Sequence, residues 1–124
     1  MIDFNNGSFC KLKKVDNASM ADKITPLLIE GEEIISSYKA IRDFVIFTNK
    51  RLITANVQGI TGSKKDLTSL PYKKISVYSI ETAGTFDLDC ELELYFSGVG
   101  KIKLEFSGST DIIEIGKLIA SYML

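Results

Sequence analysis

The chain has 124 residues, of which 45% are hydrophobic and 25% are charged. This is ordinary usage for one globular domain and excludes a largely disordered chain. The formal net charge of -1 argues against nucleic acid as a partner, because nucleic-acid-binding domains are usually basic. Histidine is absent and Cys10 and Cys90 form no CxxC pair, so the commonest catalytic base and a common metal-ligating motif are missing.

The N-terminal 30 residues are predicted to form an arm and a short helix. Residues 1–17 are polar and mixed, and we interpret them as a loose arm that can contain a short ordered piece at residues 9–15. Met20, Ile24, Leu27 and Leu28 then follow a helical spacing after Ser19, a candidate cap. Pro26 lies inside this stretch and should kink it or split it into two short helices.

The start of the chain also bears on localisation. It has no apolar stretch behind a basic start, so it does not resemble a signal peptide. No window approaches the roughly 20 apolar residues that a membrane-spanning helix needs. We therefore expect a cytoplasmic protein.

After Gly31 the hydrophobic period changes to two, which predicts about seven short antiparallel strands. They are expected at 34–40, at 44–47, from Leu52 onward, and at 65–72, 75–82, 90–96 and 102–106. The run from Phe44 to Phe47 is apolar without a break, so both of its faces must be covered. One face can enter the core, and the other needs the N-terminal helix or a neighbouring subunit.

Two hairpins can be given a register from their side-chain alternation. In "FTNKRLI", a two-residue turn at Asn49-Lys50 places Phe47 opposite Leu52, so that apolar side chains match on both faces. In the last hairpin, pairing Phe96 with Ile102 leaves a three-residue loop, 98–100. That register places Glu93 opposite Glu105, an unfavourable like-charge pair.

The C-terminal stretch "STDIIEIGKLIASYML" predicts a helix. Asp111 with Glu114 three residues later resembles a capping box, and Ile112, Ile115, Ile119 and Tyr122 form a stripe of helical period. Antiparallel strands followed by one helix predict a mainly β, α+β fold, a curled sheet or small barrel whose open end the helix covers.

Several fragments, in their order and spacing, resemble the bacterial pleckstrin-homology (PH) domain family: "GEEIISSYK" from Gly31, "RDFVIFTNKRLI" from Arg42, "QGITGSKK" from Gln58, "PYKKI" from Pro71 and "SIETAGTFDLD" from Ser79. The resemblance implies a PH-like barrel of about seven antiparallel strands capped by a C-terminal α-helix over 31–124, with an extra N-terminal helical segment in 1–30. It also implies ring-shaped homo-oligomers and no established enzyme activity.

A contact with an anion or an anionic lipid is one candidate site. It would use the cations Lys50, Arg51, Lys64, Lys65, Lys73 and Lys74. The alternative is that Lys50 and Arg51 belong to a solvated hairpin turn, where Asn49 tolerates a left-handed backbone. The turn explains these residues by itself, and we favour it.

A contact between subunits is the second candidate site. It would use the apolar residues Phe44, Val45, Ile46, Phe47, Met20 and Ile24. We therefore expect a non-enzymatic binding or assembly module that associates with itself in a ring, and possible further partners are another protein or, less favoured, a membrane surface.

The remaining polar candidates have simpler explanations. Asp87, Asp89, Glu91 and Glu93 alternate as on any solvated strand, so we predict no metal site, no catalytic residue and no cofactor. Cys90 shares the parity of buried leucines and is interpreted as an inert thiol. Three tyrosines are either interface anchors or surface packing: Tyr72, Tyr78 and Tyr95.

Overall fold

The computed structural model describes residues 1–5 and 8–124, and in this part of the chain eight strands form one curled sheet. The strands are β1 (Ser8–Val15), β2 (Ile34–Ala40), β3 (Asp43–Thr48), β4 (Arg51–Gln58), β5 (Lys64–Pro71), β6 (Val77–Glu81), β7 (Cys90–Phe96) and β8 (Gly100–Phe106). The helices are α1 (Asn17–Ile24) and α2 (Ile112–Met123), and short 3-10 turns cover Thr25–Leu27 and Tyr72–Lys74. The strand order β5-β4-β3-β2-β1-β8-β7-β6 makes β5 and β6 the two edges.

The mainly β fold with a C-terminal helix is confirmed, and all seven predicted strands are present. The short ordered piece expected at residues 9–15 is present as the strand β1 (Ser8–Val15), which lies between β2 and β8 rather than in a loose arm. β1 runs parallel to β8, so the expectation of a wholly antiparallel sheet fails at this pair. β1 lies in the segment 1–30 that the sequence sets apart, yet it pairs on both sides with strands of 31–124.

A β-bulge explains why the sequence pattern did not reveal β1. Lys11 has a φ of 58°, and the register of β1 against β8 shifts between Phe9 and Leu12. Both apolar residues therefore point into the core although they are three positions apart, which a period of two does not allow. The bulge also determines to which face of the sheet the next lysines, Lys13 and Lys14, point.

Two apolar cores cover the two faces of β3 and β4. Val45, Phe47 and Leu52 join the main core, enclosed by the curled sheet and α2. Phe44, Ile46 and Ile53 point outward and pack under α1, together with its Met20 and Ile24. The prediction that the run 44–47 is covered on both faces is confirmed, and the N-terminal helix is the element that covers the outer face.

The β3–β4 hairpin has the predicted register, with Phe47 opposite Leu52 and Ile46 opposite Ile53. The β7–β8 register is wrong by two residues: Phe96 pairs with Gly100, and Leu94 with Ile102. The three-residue loop is therefore 97–99, where Gly98 has a φ of 77°. The shift keeps the facing of every side chain but places Lys103 opposite Glu93.

Both helices are present, but the predicted cap of α1 at Ser19 is wrong. α1 begins at Asn17 after the cap residue Asp16, and the Ser19 hydroxyl donates a hydrogen bond to the Asp16 carbonyl at 2.6 Å. The helical stretch is split near Pro26, as predicted: α1 is followed by a separate 3-10 turn that contains this proline. In α2, Asp111 Oδ1 accepts a hydrogen bond from the Glu114 amide at 3.1 Å, which confirms the cap. Within the described chain neither helix is long and apolar enough to cross a membrane.

Candidate functional site

Arg51 is held by protein groups rather than presented to solvent. Its Nε and Nη2 donate to the two carboxylate oxygens of Glu32 at 2.9 Å each, and Nη2 also donates to the Leu27 carbonyl at 2.7 Å. The Glu32 side chain is fully buried, whereas 18% of the Arg51 side chain is exposed. Arg51 therefore joins the segment before β2 to the β3–β4 hairpin, and its guanidinium has a structural role.

Two further hydrogen bonds, from neutral groups, satisfy the Glu32 carboxylate. The Thr48 hydroxyl donates to it at 2.7 Å, and the Ile29 amide donates at 3.1 Å. Burial alone would raise the pKa of Glu32, but the hydrogen bonds from Arg51, Thr48 and Ile29 outweigh it and hold this pKa below its ordinary value. Glu32 is thus a charged, structural group at neutral pH.

The six candidate cations do not form one patch. Arg51 pairs with Pro71, so the β3–β4 turn lies beside the 3-10 turn that carries Lys73 and Lys74. Lys64 pairs with Gln58 at the opposite end of β4, and a strand of eight residues spans about 23 Å at about 3.3 Å per residue. The structure therefore brings Lys50, Lys73 and Lys74 to one end of the sheet and places Lys64 and Lys65 at the other.

The end that carries Lys64 and Lys65 has two exposed isoleucines that the sequence reasoning missed. Ile41, in the β2–β3 turn, is 94% exposed, and Ile60, in the β4–β5 loop, is 104% exposed relative to its reference state. The Arg42 guanidinium donates a hydrogen bond to the Gly59 carbonyl and thereby holds the two loops together. The two isoleucines are 19 positions apart in the sequence, so only the loop contact reveals the pair.

The residues predicted to contact another subunit are buried inside the chain. Met20 is 4% exposed, Phe44 is 1% exposed, and Ile24, Val45, Ile46 and Phe47 are 0% exposed. The correction has a simple physical reason: α1 folds back onto the outer face of β3 and β4 and occupies the surface that a neighbouring subunit was expected to cover. Any association between copies must use other residues.

The free edge at β6 offers a different surface. Within the described residues, β6 pairs with β7 only, and no strand lies on its other side. Val77 is 61% exposed and stands opposite Tyr95, which is 46% exposed, in neighbouring β7. Two adjoining apolar side chains at an unpaired edge are unusual on a monomer, because exposed edges favour pairing with another chain.

The three tyrosines have different environments. Tyr72 is buried, donates its hydroxyl to the Thr48 carbonyl at 2.7 Å and stacks on Tyr122, and burial raises its pKa. The half-buried Tyr78 donates to the Gly116 carbonyl of α2 at 3.2 Å. Of the three, only Tyr95 is exposed, so its side chain is the one that can contact a partner.

The thiols and carboxylates are likewise placed by the structure. Cys90 is buried and Cys10 is exposed, and neither is in a disulfide. Cys90 lies in the main core, as its parity predicts, and burial raises the pKa of its thiol. Glu91 and Glu93 lie near Lys103 and Lys101, at 3.0 and 4.0 Å, and in the described chain no group of three potential ligands is arranged to hold a metal.

Comparison with known proteins adds the family context. A family model described as bacterial PH domain matches residues 3–123. The uncharacterized protein YjqA of Bacillus subtilis (strain 168) is 38% identical over 120 residues, which cover 95% of this chain and 96% of that protein. The crystal structure of a DUF1696 family protein with a pleckstrin-homology domain from Shewanella loihica PV-4 superposes with a TM-score of 0.81 at 39% identity, covering 94% of this chain and 100% of the other. A pleckstrin-homology domain from Shewanella amazonensis SB2B is 44% identical, with a TM-score of 0.68, and the match covers 89% of this chain and 90% of that one.

Proposed function

Because the chain belongs to the bacterial PH domain family, we propose that it is a non-enzymatic binding and assembly module that associates with itself in a ring. The observation that supports this proposal is the free edge at β6, with Val77 and Tyr95 exposed beside it. An edge strand presents unpaired backbone groups that a second chain can complete. Aromatic residues such as Tyr95 are enriched at such interfaces.

A ring requires two different surfaces on each copy. The sheet has two edges, β5 and β6, which differ in length and sequence. Contact of the β6 edge of one copy with the β5 edge of the next is a head-to-tail contact, and such contacts close into rings when the rotation between copies permits. Contact of β6 with β6 would instead produce a two-fold dimer, so the mass of the assembly distinguishes the two arrangements.

The test measures the mass of the assembly by light scattering and native mass spectrometry. The variants Val77→Lys and Ser79→Lys place a charge on the exposed β6 edge, where natural edge strands often carry lysine to prevent pairing. We expect a ring of several copies for the natural chain and monomers for both variants.

Ile41→Lys serves as the matched control, because it places the same charge on an exposed apolar residue in the turn between two interior strands, away from both edges of the sheet. It should leave the assembly intact. A natural chain that stays monomeric at micromolar concentration would contradict the proposal. Loss of the assembly in Ile41→Lys but not in Val77→Lys would show that the interface does not use β6.

A second candidate function is contact with an anionic membrane surface, favoured by the loop pair Ile41 and Ile60. Both side chains project fully into solvent at one end of the sheet, and Arg42, Lys64 and Lys65 lie in or beside the same two loops. Apolar side chains at loop tips can enter the interfacial region while neighbouring cations attract anionic lipid, at about 1 kcal/mol for each well-placed cation.

Sedimentation with phosphatidylcholine vesicles, with and without phosphatidylserine, tests this candidate. The double variant Lys64→Gln/Lys65→Gln should lose binding at low salt, and Ile41→Ser/Ile60→Ser should lose it at any salt. Lys73→Gln/Lys74→Gln removes the same charge from the opposite end of the sheet and should bind as the natural chain does. Equal losses in the two lysine pairs, or no sedimentation at low salt, would exclude this end as a membrane contact.

A further inference from the structure

A cleft separates α2 from the concave side of β1 and β2. It consists of two adjoining cavities of about 990 and 440 Å³, which share Lys14, Tyr38 and Glu114 in their walls. Sites for small molecules typically enclose about 300–1,000 Å³ and are mainly apolar with a few polar groups. Each lobe of the cleft therefore has the dimensions of a site for a small organic molecule.

The position of α2 explains why this side of the sheet is left uncovered. α2 packs mainly against the 3-10 turn Tyr72–Lys74 and against β6 and β7. β1 is inserted between β2 and β8, so the sheet is one strand wider here than the seven strands expected from the sequence. A single helix covers the β6 side and leaves a gap beside β1 and β2.

The β-bulge aims Lys14 into this gap. Leu12 points into the core because the register of β1 shifts after Phe9, and Lys14, two residues further on, takes the same face. In an unbroken strand that begins at Phe9, Lys14 would point to the opposite face. Lys14 stands directly opposite Tyr38 in β2, so the ammonium and phenol groups belong to neighbouring side chains on one face.

Neither Lys13 nor Lys14 makes an ion pair with a described residue, and of the two only Lys14 lines both lobes of the cleft. The cations Lys13 and Lys117 and the carboxylates Asp111 and Glu114 also line the walls. Asp111 caps α2 by accepting from the Glu114 amide, and the Glu114 carboxylate lies 3.8 Å from the Lys117 ammonium. The walls therefore carry one more cation than carboxylates, and both carboxylates already have protein contacts.

Apolar groups line the lobe beside Lys14. Ile35 from β2 and Leu118 and Tyr122 from α2 line this lobe, together with Ser36 and Ser121. Ile35 and Tyr122 are 38% and 39% exposed, so a ligand in this lobe would remove apolar surface from water, at roughly 25 cal/mol per Å². The lobe suits the apolar part of a ligand.

We propose that this cleft binds a small amphipathic anion, with its carboxylate on the Lys14 ammonium and the Tyr38 hydroxyl and its apolar part against Ile35, Leu118 and Tyr122. Tyr38 is 4% exposed, and burial raises its pKa, so its hydroxyl keeps the proton that it donates. This site is independent of the β6 edge and of the loops at Ile41 and Ile60.

The experiment titrates the intact, ¹⁵N-labelled protein with decanoate and follows amide chemical shifts, with 1-decanol as the uncharged probe of equal length. We expect saturable shifts confined to β1, β2 and α2. Lys14→Met should weaken decanoate binding about tenfold, the typical effect of losing one charge-assisted hydrogen bond, and should leave decanol binding unchanged. Ser121→Trp, at an exposed position that lines the lobe, should block both probes.

Lys39→Met is the matched control, because Lys39 is next to Tyr38 in β2 but is exposed on the other face of the sheet. It should bind decanoate as the natural chain does. Equal weakening in Lys14→Met and Lys39→Met would overturn the proposal, as would decanoate shifts outside the cleft or no saturation. Binding of decanol as tightly as decanoate would overturn the role of the charge.

Discussion

Arg51 and the buried Glu32 carboxylate form a two-point ion pair, with Nε donating to Oε2 and Nη2 to Oε1, both at 2.9 Å. The pair joins the segment that follows α1 to the hairpin turn of β3 and β4. A planar guanidinium on a carboxylate fixes both direction and distance, which a lysine in the same place would not do. Arg51 is thus an internal clamp within a turn that looks solvated in the sequence.

Removing the arginine should destabilise the fold strongly. Arg51→Met leaves the Glu32 charge buried without its partner, and such losses typically cost about 3–5 kcal/mol. Because part of Arg51 reaches solvent, we expect a loss near about 3 kcal/mol in urea unfolding. Lys50→Met, at the exposed neighbouring position, should change stability by less than about 0.5 kcal/mol. Similar small effects for both variants would contradict the clamp.

The same clamp predicts a pH dependence. The pKa of Glu32 is lowered in the folded state from its ordinary value of 4.5, so its stabilising contribution is fully present above that value. The contribution is lost as the pH falls through the lower folded pKa. The stability difference between the natural chain and Glu32→Gln should therefore shrink between about pH 6 and about pH 3. Glu33→Gln, at an exposed neighbour, controls for the loss of one charge, and a difference that stays constant would argue against this assignment.

The contribution of Glu105 to stability should change with pH in the opposite direction to that of Glu32. Its pKa is raised by burial, by the Asp89 carboxylate and by Glu91, which stands opposite it across the β7–β8 pair. A carboxyl with a raised folded pKa stabilises the fold most at low pH and loses that contribution as the pH rises. Glu105→Gln should therefore stabilise the protein near pH 7 by at most about 0.5 kcal/mol, a value limited by solvent screening. The gain should disappear near about pH 4, and a gain that grows on acidification would be inconsistent with this cause.

Gly116 allows α2 to approach β6 closely. A Cβ at this position would lie 3.1 Å from the Ile80 Cδ1 atom, so the gain of about 1 kcal/mol in helix propensity from Gly116→Ala is opposed by crowding. Ile80→Val removes the crowding atom. A double-mutant cycle by thermal unfolding should show Gly116→Ala to be more favourable in the Ile80→Val background than in the natural chain. Strict additivity of the two changes would show that the contact does not matter.

The bulge residue predicts an unusual tolerance of glycine. Lys11 adopts a φ of 58°, where a side chain costs roughly 1 kcal/mol and glycine has no such cost. Lys11→Gly should therefore be less destabilising than Lys13→Gly, in the regular part of the same strand, by about 1 kcal/mol. Equal losses in urea unfolding would mean that the backbone at Lys11 carries no strain.

The sequence predicts the fold well where apolar alternation is regular. β2 to β8 and both helices follow from the period of their hydrophobic residues, and the Asn49-Lys50 turn follows from matching Phe47 with Leu52. The alternation does not identify β1 as a strand, because its bulge breaks the period between Phe9 and Leu12. The β7–β8 register was predicted wrongly because a shift by two residues leaves each side chain on the same face of the sheet. Side-chain alternation alone therefore cannot choose between the two registers.

The candidate sites were less predictable, because they depend on which surfaces meet in space. The run 44–47 indicates two covered faces, but its sequence does not say that α1 rather than a second copy covers the outer one. The pairing of Arg51 with Glu32 joins residues 19 positions apart, and the cleft at Lys14 depends on a bulge. Long-range contacts and irregular backbone of this kind leave little trace in local sequence patterns.

The parallel pairing of β1 with β8 has a consequence for biosynthesis. Phe9 leaves the ribosome 95 residues before its partner Leu104. Until Leu104 emerges, β1 can pair with β2 but its other side stays unpaired. Contacts between distant parts of a chain form slowly, so we expect closure of the sheet at β1 and β8 to be the late step of folding and the one most sensitive to removal of β8.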